Sequence, residues 1–400
     1  MACLGQRRAR LFLTALRWAV LVGAFLPFVY YLLAIYSAWQ FFGRQAENHA
    51  DFAPPVSILK PVRGLDREAY ENFASVCGQN YPRYEILFGV ASEQDCAVPV
   101  IRKVMDDFPE LPIRLVVGCE AWGSSDKVNK LCRLVREARY DLLVISDSDI
   151  RVPPGYLASV VKPFRDSRVG IVTCLYLGLA EGSLWSELEA LNLSSNFLAG
   201  VLVARQMEGV KFGLGATTAI TRQRLCEIGG FEALADYAAD DYEVGNRVAA
   251  QGYRVELSSC VVQTMCSSPT AEEFFEQQMR WAVGLRHSRP GGYFGWGLTQ
   301  GLPWALAALA ASHSALVGAA YVGAYLSLRL AMAWTVGVWG LRDELLRKKF
   351  WLLPLSDAAA FLIWALSFTR NRIRWRGDCF YLHQRHLVPC ASRRQNNSGN

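Results

Sequence analysis

Residues 140–157 read YDLLVISDSDIRVPPGYL. Leu142, Leu143, Val144 and Ile145 form an unbroken apolar run, the pattern of a short strand covered on both faces. The run meets Ser146 and then two carboxylates one residue apart, Asp147 and Asp149. On an extended segment residues i and i+2 point to the same side. Both charges therefore face one way and repel, unless a divalent cation sits between them and an anionic ligand. Mg²⁺ and Mn²⁺ take oxygen ligands and are often held by one or two carboxylates plus substrate phosphates. A solvated acidic turn is the alternative, and the pair alone does not choose between them.

The pattern on either side of this stretch repeats it. Strands are expected over 56–60, 84–90, 113–117 and 142–146, separated by helices over 66–78, 97–108 and 126–138. Strands alternating with helices of that length imply right-handed βαβ units and a mainly parallel α/β sheet. Such sheets bind ligands at the carboxyl ends of their strands, where Asp95, Asp147 and Asp149 fall. The second half is less regular. Residues 169–175, 215–221 and 254–258 read as strands, and 184–207, 242–251 and 268–286 as helices. In the last of these, Thr270 and Glu273 form a capping box.

The flanks are apolar. The chain has 400 residues, 52% hydrophobic and 20% charged, with a net charge of +6; a soluble domain is usually more polar. Residues 11–39 are long enough for a spanning helix, with Arg17 the one charge, and no cleavage site follows. Residues 302–341 are about twice one span and carry only Arg329; two helices are expected, turning near 318–323. Residues 350–368 are apolar again, but Pro354 and Asp357 interrupt them, which fits a spanning, re-entrant or interfacial segment. The expected division is a tail and anchor over 1–40, a soluble domain over 52–300, two membrane helices over 301–341, a further membrane segment over 350–369 and a basic polar tail over 370–400. Arginines at both ends, beside apolar runs, point to anionic lipid headgroups and not to nucleic acid. The 11 cysteines contain no C-x-x-C pair, a pattern of buried thiols in a reducing compartment. No Walker A or G-x-G-x-x-G sequence is present, which argues against P-loop ATPases and NAD enzymes.

Other side chains gain meaning only together. Asp240 and Asp241 precede a helix, where the dipole favours an anion; capping needs one of them, and the other is free to act as a general base. Gln277, Arg280 and Trp281 share one helix face, suited to phosphate and to a sugar or apolar wall, or to a helix lying on the membrane. Asp95 by itself reads as a helix cap, and Lys127 and Asn129 as a solvated helix start.

In this order, Asp95, Asp147-Ser148-Asp149, Asp241 and Gln277-x-x-Arg280-Trp281 resemble the D, D, D, (Q/R)xxRW signature of inverting family 2-like glycosyltransferases with a GT-A fold. SILKPVRG (57–64), YPRYEILFGV (81–90) and ADDY (239–242) narrow the resemblance to the ceramide glucosyltransferase family and its hopanoid-associated bacterial relatives. It covers roughly 52–290. What it implies is a GT-A-type, mainly parallel sheet between membrane helices. Asp95, Lys127, Asn129 and Asp147 would contact a UDP-sugar, and Asp147 and Asp149 would hold Mg²⁺ or Mn²⁺. Asp241 would be the base, with Asp240, Gln277, Arg280 and Trp281 on the diphosphate and acceptor side. The acceptor would be a membrane lipid, ceramide or a hopanoid-type alcohol; the sugar would be glucose or N-acetylglucosamine. Ser125 and Asp126 stand where ceramide enzymes tend to have Asn-Pro, and no histidine lies between His49 and His287, which leaves the acceptor open. A processive polysaccharide synthase and a non-enzymatic lipid-binding protein are the competing readings. Because UDP-sugars are cytosolic, the 52–300 domain is expected on the cytoplasmic side (of the inner membrane if bacterial), although the N-terminal arginines favour the reverse.

Overall fold

A computed structural model describes residues 2–43 and 52–390. Eight strands make the main sheet: β1 (Val56–Pro61), β2 (Tyr84–Val90), β3 (Ile113–Val117), β4 (Leu142–Ile145), β5 (Ile150–Arg151), β6 (Val169–Ala180), β7 (Thr218–Thr221) and β8 (Arg254–Cys266). Their order is β3-β2-β1-β4-β7-β6-β8-β5. β1 to β4 pair in parallel, as the alternating pattern requires, and β6 pairs in parallel with β8. β7 is wedged antiparallel between β4 and β6, and β5 runs antiparallel along β8. The expected mainly parallel sheet with flanking helices is thus present.

Alternate residues of the first strands enter two different cores. Leu59, Leu87, Leu143 and Ile145 pack on one face with Val128, Leu131 and Leu134 of the helix Asp126–Glu137. Ile58, Ile86, Phe88 and Val144 pack on the other with Phe73 and Ile101, from the helices Ala69–Cys77 and Val98–Asp107. Covering both faces is why these strands read as continuous apolar runs.

Several elements differ from expectation. β6 and β8 outrun the apolar windows at 169–175 and 254–258, because each supplies the other's backbone partners through Ala180 and Cys266. The strand expected over 215–221 begins only at Thr218; Leu214 and Thr217 close a tight turn before it. Helical structure runs from Leu184 to Glu208 but widens to a π-turn at Leu193–Phe197.

Among the described residues, three helical stretches are long and apolar enough to cross a membrane: Gln6–Phe42, Ala315–Gly340 and Glu344–Ser367. The first breaks at Ala24 and Phe25, just before Pro27. The turn expected near 318–323 lies instead at 312–314, between the helices Gly301–Ala311 and Ala315–Ala333. There the Ser312 hydroxyl donates to the carbonyls of Leu309 and Ser314, giving the backbone an alternative to the helix. Gly318 stays helical. A Cβ there would lie 2.6 Å from Leu309 Cδ1, so glycine lets the two helices cross closely.

The basic tail expected over 370–400 is folded through Pro389. β9 (Arg372–Trp375), β10 (Asp378–His383) and β11 (His386–Pro389) form an antiparallel sheet in the order β11-β10-β9. Ile373, Phe380, Leu382 and Leu387 face a core shared with Phe274, Met279 and Val283 of the helix Ala271–Ser288. Residues 391–400 lie outside the described part.

Candidate active site

The carboxyl ends of β1, β2, β4 and β8 meet at one edge of the sheet, and the acidic residues converge there. Lys60 sits in β1 and is fully buried. Its ammonium donates to the carbonyls of Asp147 (2.7 Å) and Ile150 (3.2 Å) and to Ser146 Oγ (3.3 Å), fixing the backbone of the Asp147–Ser148–Asp149 turn. Burial pushes Lys60 down to about 8, against the pull of Asp149 and Asp147.

Around that turn the carboxylates are close but not equivalent. Lys127 Nζ lies 2.8 Å from Asp147 Oδ1 and 3.3 Å from Asp240 Oδ2, bridging two segments nearly a hundred residues apart. Burial alone would depress this ammonium, but Asp147, Asp240 and Asp241 hold it above its ordinary value. Asp149 Oδ2 accepts a hydrogen bond from Thr264 Oγ1 at the end of β8 (2.9 Å). Burial, then Asp147 and Asp66, raises Asp149 to about 6. Asp241 is raised chiefly by burial and by Asp240, with Lys127 opposing. The N-cap of the helix Asp240–Ala250 is Ala239, with no side-chain cap, so neither aspartate is spent at that position.

Among the described residues no three His, Cys, Asp or Glu side chains converge as a complete metal site. The arrangement nonetheless fits a hard cation completed by substrate oxygens. Asp147 Oδ1 is buried and accepts no well-angled hydrogen bond, with the Lys127 ammonium beside it. A Cβ at Gly215 would lie 3.1 Å from Asp241 Oδ2 and 3.5 Å from Asp147 Oδ2, so glycine keeps the space between these carboxylates open.

Asp95 lies beside this cluster, in the loop after β2. Its carboxylate accepts from the Gly64 amide (3.1 Å to each oxygen) and from Ala97 N (2.9 Å), tying the loops after β1 and β2 together. With Arg63, Ser92, Gln94, Asp126 and Asp378 it lines an open cavity of about 530 Å³. Asn129 does not join the cluster. Its amide oxygen accepts from Trp122 N and Gly123 N and its amide nitrogen donates to Gly123 O, so its polar atoms shape the loop before their own helix.

Gln277, Arg280 and Trp281 share a face as expected. Arg280 donates to Gln277 Oε1 (3.0 Å) and lies 6.0 Å from the Trp281 ring and 5.4 Å from the ring of Trp375 in β9. Burial, then the neighbouring Arg376, lowers its guanidinium to about 10, while Asp149, Glu189 and Asp147 work the other way. Glu189 is a buried carboxylate that accepts from Ser268 Oγ (2.7 Å).

Lys60, Asp66, Glu189, Thr264, Trp375 and Arg376 were not singled out in the sequence. A lysine inside the apolar run of SILKP was a usable signal for the first. The others are polar or aromatic residues whose neighbours come from distant segments.

The fold is thus a mixed α/β sheet with acidic side chains at its carboxyl edge, joined to helices long and apolar enough to span a membrane. A family model for glycosyl transferase family 21 matches residues 19–388, and the chain belongs to that family. Ceramide glucosyltransferase 3 of Caenorhabditis elegans is 29% identical over 287 residues, covering 70% of this chain and 62% of that protein. Ceramide glucosyltransferase 1 of the same animal is 28% identical, covering 57% and 49%. The chain thus spans about half to three fifths of the length of these relatives. Among solved structures, the mannosyltransferase PcManGT from Pyrobaculum calidifontis, in complex with GDP-Man and Mn²⁺, aligns with a TM-score of 0.49 at 19% identity, over 86% of this chain and 97% of that one. GalNAc-T7 with UDP, GalNAc and Mn²⁺ aligns with a TM-score of 0.41 at 12% identity, over 60% and 51%.

Proposed function

We propose that this protein is a membrane-anchored, inverting glycosyltransferase that moves a sugar, foremost glucose, from a UDP-sugar to the hydroxyl of a membrane lipid, foremost ceramide. The observation that carries the reading is the Lys127 ammonium held between Asp147 and Asp240 at the carboxyl edge of the sheet. It brings a cation and carboxylates from two segments to the edge where α/β sheets bind ligands. Glucose and ceramide rest on the names of the relatives. Asp147 and Asp149 would hold Mg²⁺ or Mn²⁺, which when bound would neutralise charge on the diphosphate leaving group.

The chain's own residues divide the remaining work. Asp95 and Lys127 bind the nucleotide-sugar, and Arg280 and Gln277 face the diphosphate, with Trp281 on the acceptor side. The Asp241 carboxylate, lifted by burial, accepts the proton of the acceptor hydroxyl as its oxygen attacks the anomeric carbon. One carbon–oxygen bond forms while the bond to the diphosphate breaks, so configuration inverts and a β-glycoside results. Arg280 offers fixed charge where the leaving group becomes more negative. The acceptor enters from the bilayer along the 184–208 and 271–288 helices, and the 52–300 domain faces the cytosol.

The test offers purified protein a panel of UDP-sugars with a total lipid extract and identifies products by mass. A glycosylated lipid that forms with Mg²⁺ or Mn²⁺ and fails with chelator is expected. Turnover indifferent to chelator removes the metal assignment, and absence of both transfer and UDP-sugar hydrolysis removes the function. Accessibility tagging that finds residues 52–300 outside the cytoplasm removes the topology.

A further inference from the structure

The C-terminal sheet reaches back to the acidic turn from beyond the last membrane helix. β9 and β10 pair through Trp375 and Asp378, leaving Arg376 and Gly377 as a two-residue loop. Both have positive φ, 47° and 87°. That suits the glycine, but an arginine there adopts a conformation usually left to Gly, Asn or Asp. A disfavoured backbone persists where its surroundings impose it, and Arg376 has such surroundings. Its guanidinium donates to Asp66 Oδ1 (2.9 Å) and Oδ2 (3.1 Å), and through its other nitrogen to the Arg63 carbonyl. Asp66 Oδ2 in turn accepts from the hydroxyl of Ser148, the middle residue of Asp147–Ser148–Asp149. Beside this chain of contacts, Asp378 pairs with Arg63 (2.8 Å), and both line the cavity that contains Asp95.

We propose that Arg376 is a positioning residue for the acidic turn, acting through Asp66 and Ser148, and that the 375–378 loop forms the outer wall of the donor cavity. The inference rests on the proposed nucleotide-sugar and metal site. Lys60 holds the turn's backbone from below, through the Asp147 and Ile150 carbonyls, but it does not touch Ser148. The Ser148 hydroxyl donates instead to Asp66, whose carboxylate Arg376 holds in turn. The planar guanidinium holds Asp66 through one nitrogen and the Arg63 carbonyl through another, a fixed two-point grip that an ammonium on a flexible stem lacks. The carboxylates on either side of Ser148 are therefore aimed by a segment more than two hundred residues away. The far end of the same sheet is anchored near the other carboxylates. Leu387 N donates to Asp236 O (2.6 Å), Ala238 N donates to Arg385 O (3.1 Å), and Arg385 pairs with Glu243 (3.1 Å).

The test measures Mn²⁺ and UDP binding to the purified full chain by calorimetry, alongside donor KM and kcat. Arg376→Ala is expected to weaken Mn²⁺ binding and raise donor KM by roughly 10- to 100-fold, as loss of a partner behind a metal ligand does, with a smaller change in kcat. Arg376→Lys should restore part of this. Ser148→Ala should give the same pattern, and the two substitutions together should cost less than their sum. Arg374→Ala in β9, which breaks an exposed pair with Glu276 of the helix Ala271–Ser288, should leave metal and donor affinity unchanged. If Arg376→Ala and Ser148→Ala both keep wild-type Mn²⁺ and UDP affinity, the inference is overturned. If Arg376→Ala does not fold, Ser148→Ala and Arg376→Lys decide in the same way. A wild-type protein that binds neither Mn²⁺ nor UDP overturns the site reading itself, a different result from equal affinities.

Discussion

The acidic edge of the sheet, our proposed donor site, and the helical stretch from Leu184 to Glu208, our proposed acceptor wall, are held together differently. At the donor edge, Asp95, Asp147 and Asp149 follow closely on strand ends, and their positions descend from parallel pairing of β1, β2 and β4. Their charges stay near solvent or near one another. On the other side, the helical stretch from Leu184 to Glu208 is pinned by buried polar contacts from segments far along the chain. Arg329 pairs with Asp357 through two nitrogens, and both side chains are at most 5% exposed. The same guanidinium donates to the Ser195 carbonyl (3.2 Å), inside the π-turn. One residue earlier, the Ser194 hydroxyl donates to Asp343 (2.6 Å). A π-turn interrupts the regular i→i−4 ladder, and here membrane-side residues meet it. The acidic residues are thus placed by sheet topology and braced by polar contacts around it, whereas the Leu184–Glu208 stretch is placed by a buried ion pair and hydrogen bonds.

The largest expected effect is confined to the acidic edge. Asp241→Asn should lower kcat by about 10²- to 10⁴-fold, the range for losing a general base, while UDP binding stays within a few-fold of wild type. Retention of wild-type kcat in steady-state assays would show that Asp241 is not the base. Next comes a blow to the wall. Asp357→Asn leaves Arg329 buried with half its partner gone, and should cost about 3–5 kcal/mol in thermal or denaturant unfolding in lipid or detergent. Replacing both residues by Met and Leu should cost less than the single change. Equal stability of the single variant and wild type would mean the pair does not brace the wall.

The smallest effect sharpens the border between the two regions, where Glu189 lies. Burial raises its carboxyl to about 7, with Ser268 and Arg280 pulling it down. Its folded value stands above the unfolded one, so folding takes up a proton between roughly pH 4.5 and 7. Its stabilising contribution is complete below that window and is lost as pH rises through it. Glu189→Gln, which cannot ionise, should remove this slope and gain up to about 3 kcal/mol relative to wild type by pH 8. Parallel stability curves for the two proteins from pH 5 to 8 would refute the assignment.

The sheet's first half was legible because helices cover both of its faces. Ile58, Leu59, Leu143 and Val144 had to be apolar whichever way they pointed, and the strands appeared as plain runs. The alternation Arg372, Ile373, Arg374, Trp375, followed by Arg-Gly, carried a hairpin signal too, but the density of arginines there resembled a solvated tail. Asn129 shows a related gap between pattern and contact. Its spacing from Lys127 matched a motif, and spacing does not say that an amide turns back onto the Trp122 and Gly123 backbone.

What the sequence determined by itself was local: the strand and helix periods, the apolar spans, and which carboxylates follow strand ends. Each depends on residues within a turn or two of one another, so the pattern survives without knowledge of the fold. The tertiary structure alone decided that β7 enters antiparallel beside β4, that the membrane turn falls at 312–314, that Lys127 reaches both Asp147 and Asp240, and that Arg376 stands behind Ser148. Those pairings join segments tens to hundreds of residues apart. They are selected by the closure of the whole chain around its cores, where buried charges must find partners.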